Sequence, residues 1–144
     1  MALADKPPTL DCQIISPERV AFSSSVEMVV VPAAKGALGI LPGHAPLVSQ
    51  LQPGVVEIYQ KDQVIERIFV SGGFAHIAET NCTVLSEEVI CLADILPEEV
   101  EAYIERIQTQ LAEQSLDQQD RATLEENLIV SRAKMELWRQ LKGK

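Results

Sequence analysis

Basic residues and long apolar runs are scarce in this sequence. It has 12 Lys and Arg against 21 Asp and Glu, which gives a formal net charge of −9. Because nucleic-acid binding needs clustered cations, this balance argues against a nucleic-acid partner, and it also argues against direct binding to an acidic membrane surface. No stretch approaches the roughly 18 apolar residues that a membrane-spanning helix requires. The first residues, MALADKPP, lack the basic start and apolar core of a secretory signal, so we expect the chain to stay where it is made.

Cysteine is also rare, and no pattern of metal or catalytic residues is present. Cys12, Cys82 and Cys91 form no C-x-x-C pair and have no histidine at ligand spacing, which predicts reduced, buried thiols and no zinc site. The two histidines, His44 and His76, have no nucleophile and acid in a suggestive arrangement. We therefore expect no catalytic residues, no metal and no cofactor.

Residues 9 to 92 contain short runs rich in β-branched residues and separated by turn formers, which predicts a β-sandwich or a small barrel. Ser71-Gly72-Gly73 precedes no G-K-[ST] motif, so a tight turn between strands is expected there. In one run, Val56 and Ile58 alternate with Val55 and Glu57, as in a strand with one face inward. The runs are LDCQII, VEMVVVP, GVVEIYQ, VIERIFV, FAHIA and CTVLS.

The pattern changes after Ala93, so we place a β-module at residues 1–93 and a helical hairpin at 94–144. Pro97 and the acids after it suit the first turn of a helix over about 97–114. Asp117 can cap a second helix over about 118–141. The first helix is also indicated by apolar residues at helical spacing, Val100, Ile104, Ile107 and Leu111.

The second helix has two apolar stripes, whereas an isolated two-helix hairpin needs only one. Either the stripes pack on the first helix and on the β-module, or the helix exchanges between two partners. The first stripe contains Leu124, Leu128, Met135 and Trp138, and the second contains Val130, Ala133, Leu137 and Leu141.

Three arginines, Arg121, Arg132 and Arg139, share one face of this helix. One interpretation is that they are solvated or pair locally, as Arg121 could with Glu125 four residues on. The other is that they bind an acidic protein partner through complementary charge.

The segment GALGILPGHAP, residues 36–46, places apolar Leu38, Ile40 and Leu41 among three glycines and two prolines, which predicts an apolar loop. With the following LVSQLQPG, the later FVSGGFAHI and a helical hairpin, it resembles the epsilon subunit of bacterial and chloroplast F-type ATP synthases, whose mitochondrial counterpart is called delta. The resemblance covers about Leu10 to Leu141.

That resemblance implies a ten-strand β-sandwich, bound to the gamma subunit and resting on the c-ring. By position, the loop facing the c-ring and gamma would contain Leu38, Gly39, Ile40, Leu41, Pro42, Gly43 and His44. The alternative for about half of these side chains is that the Leu and Ile residues simply pack into the sandwich. Many members have an acid where this chain has Ala37. Substituting Leu38 or Ile40 by Asp is expected to weaken coupling while leaving the fold intact.

The resemblance also implies a non-catalytic rotor subunit with a regulatory hairpin. When extended, the hairpin would meet an acidic segment of the beta subunit, beside alpha, and restrain ATP hydrolysis. Some members bind ATP through [IL]-D-x-x-R-A, but Leu96, Glu99 and Val100 replace its Asp, Arg and Ala, so no nucleotide site is expected.

The implied location is the cytoplasmic face of a bacterial plasma membrane, as a peripheral part of F1, with the plastid thylakoid as the other possibility. The alternative from a different class is a free-standing adaptor whose hairpin binds an unrelated acidic protein.

Overall fold

A computed structural model describes residues 7–141 and divides the chain into two compact units between Cys91 and Leu92. The sequence placed this boundary two residues later, after Ala93. The start of the MALADKPP segment and the predicted outer limits, Met1 and Lys144, lie outside the described residues.

The first unit is a β-sandwich of ten strands, as the sequence and the resemblance predicted. The strands follow the order β10-β7-β6-β3-β5-β8-β9-β1-β2, and β4 pairs with β3. Among the described residues, all strand pairings are antiparallel except that of β1 with β9. The strands are β1 (Leu10–Ile15), β2 (Val20–Val26), β3 (Met28–Ala33), β4 (Gly36–Ile40), β5 (Leu47–Leu51), β6 (Gly54–Gln60), β7 (Gln63–Val70), β8 (Gly73–Ile77), β9 (Asn81–Leu85) and β10 (Val89–Cys91).

Alternation along the strands produces the sandwich core. In β6, Val56 and Ile58 are buried while Val55 and Glu57 are only half-buried, which confirms the predicted inward face. Several strands from both ends of the ladder contribute to the same core. Its largest fully buried members include Leu10, Ile14, Ile40, Ile58, Ile68 and Ile77.

The run VEMVVVP forms parts of two strands rather than one, because the chain changes partner at Glu27. Val26 pairs with Leu10 in β1, whereas Met28 pairs with Tyr59 in β6. The Glu27 backbone N–H donates to the Tyr59 carbonyl at 3.2 Å, which supports the backbone at the crossover. Alternation within the run carries no information about this change of partner.

The predicted turn at Ser71-Gly72-Gly73 is confirmed. Gly72 and Gly73 have φ values of +126° and +105°, a region that residues with side chains rarely adopt. A Cβ atom on Gly73 would overlap the Leu85 carbonyl. Glycine therefore allows β8 to start against β9.

The second unit contains a short 3-10 turn (Leu92–Asp94) and two helices, α1 (Pro97–Leu111) and α2 (Gln118–Leu141). The bounds of α2 are those predicted, while α1 ends three residues earlier than the predicted Gln114. Pro97 stands in the first turn of α1. The Asp117 carboxylate accepts the Asp120 N–H at 2.8 Å, which confirms the predicted cap of α2. Within residues 7–141, neither helix combines the length and apolar character needed to cross a membrane.

Candidate interaction surfaces

The loop between β4 and β5 is held in place by backbone hydrogen bonds. The Gly43 N–H donates to the Glu79 carbonyl at 2.7 Å, which ties the loop to the connection between β8 and β9. The His44 N–H donates to the Leu41 carbonyl at 3.2 Å, and Gly43 has a φ of +88°. The loop is therefore a fixed turn, and its glycine supplies the left-handed backbone.

The prediction of an apolar loop is wrong for the first half of the segment, because Gly36–Ile40 forms strand β4. Ile40 is fully buried in the sandwich core, and Leu38 is half-buried against that core. Leu41 is 55% exposed. The expectation that Ile40→Asp leaves the fold intact is therefore also wrong, since it would place a carboxylate among apolar side chains. Gly39 and Gly43 are exposed, whereas Pro42 and His44 are half-buried.

A second surface, which the sequence analysis did not identify, crosses four strands of the sandwich. The strand register places Phe74 beside Leu85, Leu85 beside Ile15, and Ile15 beside Val20. Paired residues project to the same sheet face, so these four side chains form a continuous line that we call the apolar row. Phe74 is 52% exposed, Leu85 48% and Val20 54%.

Two further features extend the apolar row. Val48, 60% exposed, pairs with His76 and is thus a diagonal neighbour of Phe74. Beside the row lies an open groove of about 390 Å³, lined by Phe74, Leu85, Ile15 and Pro17 among others. Contiguous exposed apolar side chains of this kind mark interaction sites on folded proteins.

The sequence does contain a weak signal for this surface. In β9, Val84 is buried and its neighbour Leu85 is half exposed, so apolar residues occupy both faces of one strand. Strands of this kind are typical of sheets covered on both sides. Only the strand register brings these apolar side chains of four strands together on one face.

The three arginines of α2 do not form one free face. Arg121 donates to the carbonyls of Leu111 at 2.9 Å and Glu113 at 2.8 Å, at the carboxyl end of α1. Instead of pairing with Glu125, the Arg121 guanidinium binds carbonyls at and just beyond the carboxyl end of α1, where a cation is favourable. These hydrogen bonds also stabilise the end of α1 at Leu111, three residues before the predicted Gln114.

The other two arginines line a groove between the helices. Arg139 lies 3.8 Å from the Glu101 carboxylate, and both side chains are about 60% exposed. Arg132 is also exposed and lines the same groove as Glu98, Glu101 and Glu105 of α1.

The two apolar stripes of α2 are partly covered. Met135 is buried, as is Ile107 of α1, whereas Trp138 and Leu137 are half-buried. Ile129, which belongs to neither stripe, is 63% exposed. Burial along α2 is thus concentrated near Met135.

The histidines and cysteines lie on strands of the sandwich and on its β4–β5 loop. His44 Nδ1 lies 2.8 Å from the Ala45 carbonyl, and His76 is exposed on β8, the predicted strand. Cys12 and Cys82 are buried neighbours in the register of β1 and β9, and Cys91 is half-buried. A hydrogen bond with Cys82, together with burial, raises the pKa of the Cys12 thiol. A search of residues 7–141 finds no group of three His, Cys, Asp or Glu side chains placed to bind a metal ion.

Sequence comparisons place the chain in a family. The family described as ATP synthase, delta/epsilon chain, beta-sandwich domain matches residues 9–91. An ATP synthase epsilon chain of Rhodospirillum centenum is 40% identical, over 94% of this chain and 93% of the relative. The epsilon chain of Rhodospirillum rubrum is 46% identical over 73% of this chain and 78% of its own length. That of Bordetella avium is 38% identical over 93% and 94%.

Solved structures agree at the level of the fold. A chain in the cryo-EM structure of the Euglena gracilis mitochondrial ATP synthase, comprising OSCP, F1 and the c-ring, has a TM-score of 0.70 at 23% identity. The alignment covers 90% of this chain and 81% of that one. A chain of the Tetrahymena thermophila central stalk and c-ring has a TM-score of 0.54 at 14% identity and covers 94% and 97%. The chain therefore belongs to the ATP synthase epsilon chains, non-catalytic stalk subunits of the rotary ATP synthase.

Proposed function

We propose that this chain is a rotor subunit that couples gamma to the c-ring and restrains ATP hydrolysis through its hairpin. The sandwich transmits torque, so it must be rigid and must dock on its neighbours. Gamma is the partner of the apolar row, and the c-ring is the partner of the turn that contains Leu41 and Gly43. The complex holds the chain on the cytoplasmic face of a bacterial plasma membrane.

The apolar row is the single observation that carries the docking proposal. Phe74, Leu85 and Val20 are about half exposed on one sheet face, although the sandwich has a complete core without them. Burying such side chains contributes roughly 25 cal/mol per Å² of apolar surface removed from water. A rigid sheet orders few new groups on binding, which favours affinity.

The docking test pairs two variants with similar exposure but different positions. Phe74→Asp is expected to abolish co-purification with gamma, because it places a charge within the row. Ile65→Asp is the matched control, since Ile65 is 50% exposed on β7, outside the row. Both variants should keep the wild-type circular dichroism spectrum. Equal retention of gamma by the two variants would show that the row is not the docking surface.

The loop proposal needs a separate measurement. Leu41→Asp is expected to leave gamma binding intact and to reduce ATP-driven proton pumping in the reconstituted complex. Ala37→Asp is a suitable control for added charge, because Ala37 is exposed on the neighbouring strand β4. Unchanged pumping with Leu41→Asp would remove the loop from the c-ring interface.

The hairpin proposal is tested by adding the chain back to F1 that lacks it. The whole chain is expected to slow ATP hydrolysis, and a version that stops at Ala93 is expected to bind without slowing it. Gamma binding by the shorter version shows that its sandwich has folded. If both versions bind and neither inhibits, the hairpin has no inhibitory role. Failure of both to bind gamma would favour the adaptor function instead.

A further inference from the structure

We propose that the acidic face of α1 masks the basic face of α2, meaning that the α1 carboxylates compete with an acidic partner for the arginines of the closed hairpin. The proposal rests on the proposed function only in the identity of that partner. The masking itself concerns contacts within the hairpin, and it can be tested without any other subunit.

Two of the three arginines of α2 have acceptors within the hairpin itself. The Arg121 guanidinium donates to the Leu111 carbonyl at the end of α1, at 2.9 Å, and to the Glu113 carbonyl just after α1, at 2.8 Å. Arg139 has the Glu101 carboxylate at 3.8 Å. The Arg121 N–H groups that bind these carbonyls cannot donate to a partner until the hairpin opens, whereas the Arg139 pair is exposed and longer than a hydrogen bond.

The groove between the helices extends this arrangement to the third arginine. It has a volume of about 680 Å³, and Arg132 and Arg139 line it from α2 while Glu98, Glu101 and Glu105 line it from α1. From Asp94 to Asp117 the sequence has seven acids and one base, whereas Gln118 to Lys144 has six bases and four acids. The first helix thus presents the charge that an acidic partner segment would present.

The α1 carboxylates compete with a partner for the arginines, and they do not block the arginines completely. The groove is open and its charged side chains are exposed, so each ion pair contributes little by itself. A partner segment with several carboxylates at once can displace α1, because its charges act together on the row of arginines. Removing the α1 carboxylates should therefore strengthen partner binding by a few fold rather than by orders of magnitude.

The test uses the full chain and a peptide of ten glutamates at low ionic strength. Trp138 is the single tryptophan and lies on α2, so its fluorescence reports binding there. The unmasked variant, Glu101→Gln with Glu105→Gln, is expected to bind the peptide about two- to fivefold more tightly than the wild type. The matched control, Glu99→Gln with Glu113→Gln, loses the same charge from acids that do not line the groove. It is expected to bind like the wild type.

The outcomes separate masking from a general charge effect. Equal tightening by both double variants would overturn the proposal, because total charge would then explain the change. No change with the unmasked variant, or no measurable binding by any form, would also overturn it.

A second arm separates masking from the proposed function. The same variants are added to F1 that lacks this subunit, and ATP hydrolysis is measured. Stronger inhibition by the unmasked variant than by its control supports both proposals. If the unmasked variant binds the peptide more tightly but inhibits no better than its control, masking stands and the inhibitory role fails.

Discussion

The sandwich and the hairpin are stabilised in different ways. In the sandwich, in-register ladders carry buried side chains such as Ile14, Val29 and Ile58 into one continuous core. Within the two helices, only Ile107, Ser131 and Met135 are buried. The hairpin relies in addition on exposed or half-buried polar contacts, such as those of Arg121 and Arg139.

This difference fits the proposed function, in which the sandwich transmits torque and the hairpin exchanges partners. A body that transmits torque must not deform, and a dense core gives it resistance to local opening. An element that exchanges partners must open at a low free-energy cost, which requires few buried contacts. Three substitutions and one labelling experiment test this contrast between the two units.

The largest effect on stability is expected from Ile40→Asp, which places a carboxylate in the sandwich core. Burial of an unpaired carboxylate should lower the free energy of unfolding by about 4 kcal/mol or more. Leu41→Asp, one residue later, should change it by less than about 0.5 kcal/mol, because Leu41 is largely in water. Chemical denaturation of both variants provides the measurement. Similar stability of the two variants would contradict the placement of Ile40 in the core.

The next effect is expected from Met135→Ala, which removes the main buried side chain of α2. The free energy of opening the helices should fall by about 2–4 kcal/mol, while the strand amides stay protected. Ile129→Ala is the control, since Ile129 is 63% exposed and should matter little. Amide hydrogen exchange resolves the two units. Faster exchange in the strands as well would mean that the units do not open separately.

A smaller effect is expected from Arg121→Ala, which removes the cation from the end of α1. Loss of the two carbonyl contacts should destabilise the hairpin by about 1–2 kcal/mol. Arg132→Ala, whose side chain is exposed, should cost less than about 0.5 kcal/mol. Helix-amide exchange of both variants tests this difference. An equal cost for the two arginines would argue against a special role for Arg121.

The smallest effect is kinetic and requires no substitution. In the native protein, Cys12 and Cys82 should resist a thiol reagent, because both side chains are buried in the sandwich core. Half-buried Cys91 should react slowly, and all three thiols should react after denaturation. The rate for the buried pair then measures how often the sandwich opens. Rapid labelling of the pair at neutral pH would contradict a rigid sandwich.

Local signals were sufficient for much of the fold. Alternation in β6 and the turn glycines Gly72 and Gly73 predicted their structures correctly, and so did the Asp117 cap of α2. These features depend on neighbours within a few residues, which is the range over which sequence patterns carry information. The partner switch at Glu27 was missed because it depends on which distant strand lies alongside.

The candidate surfaces were less predictable. The segment from Leu38 to His44 was predicted to be an apolar loop, but its burial differs from residue to residue. Ile40 faces the core because β4 pairs with β3 and turns alternate side chains inward. The apolar row was not predicted, because Phe74, Leu85 and Ile15 are neighbours only through strand register.

Sequence patterns alone predicted a β-module followed by a helical hairpin, the bounds of α2, the turns and the resemblance to the family. The core position of Ile40, the apolar row and the contacts of Arg121 with carbonyls at the end of α1 could be seen only in the folded chain. The two kinds of feature differ in the distance over which they act. Backbone preference and apolar periodicity act between near neighbours in the chain, whereas exposure and charge pairing are fixed by contacts between residues far apart in it.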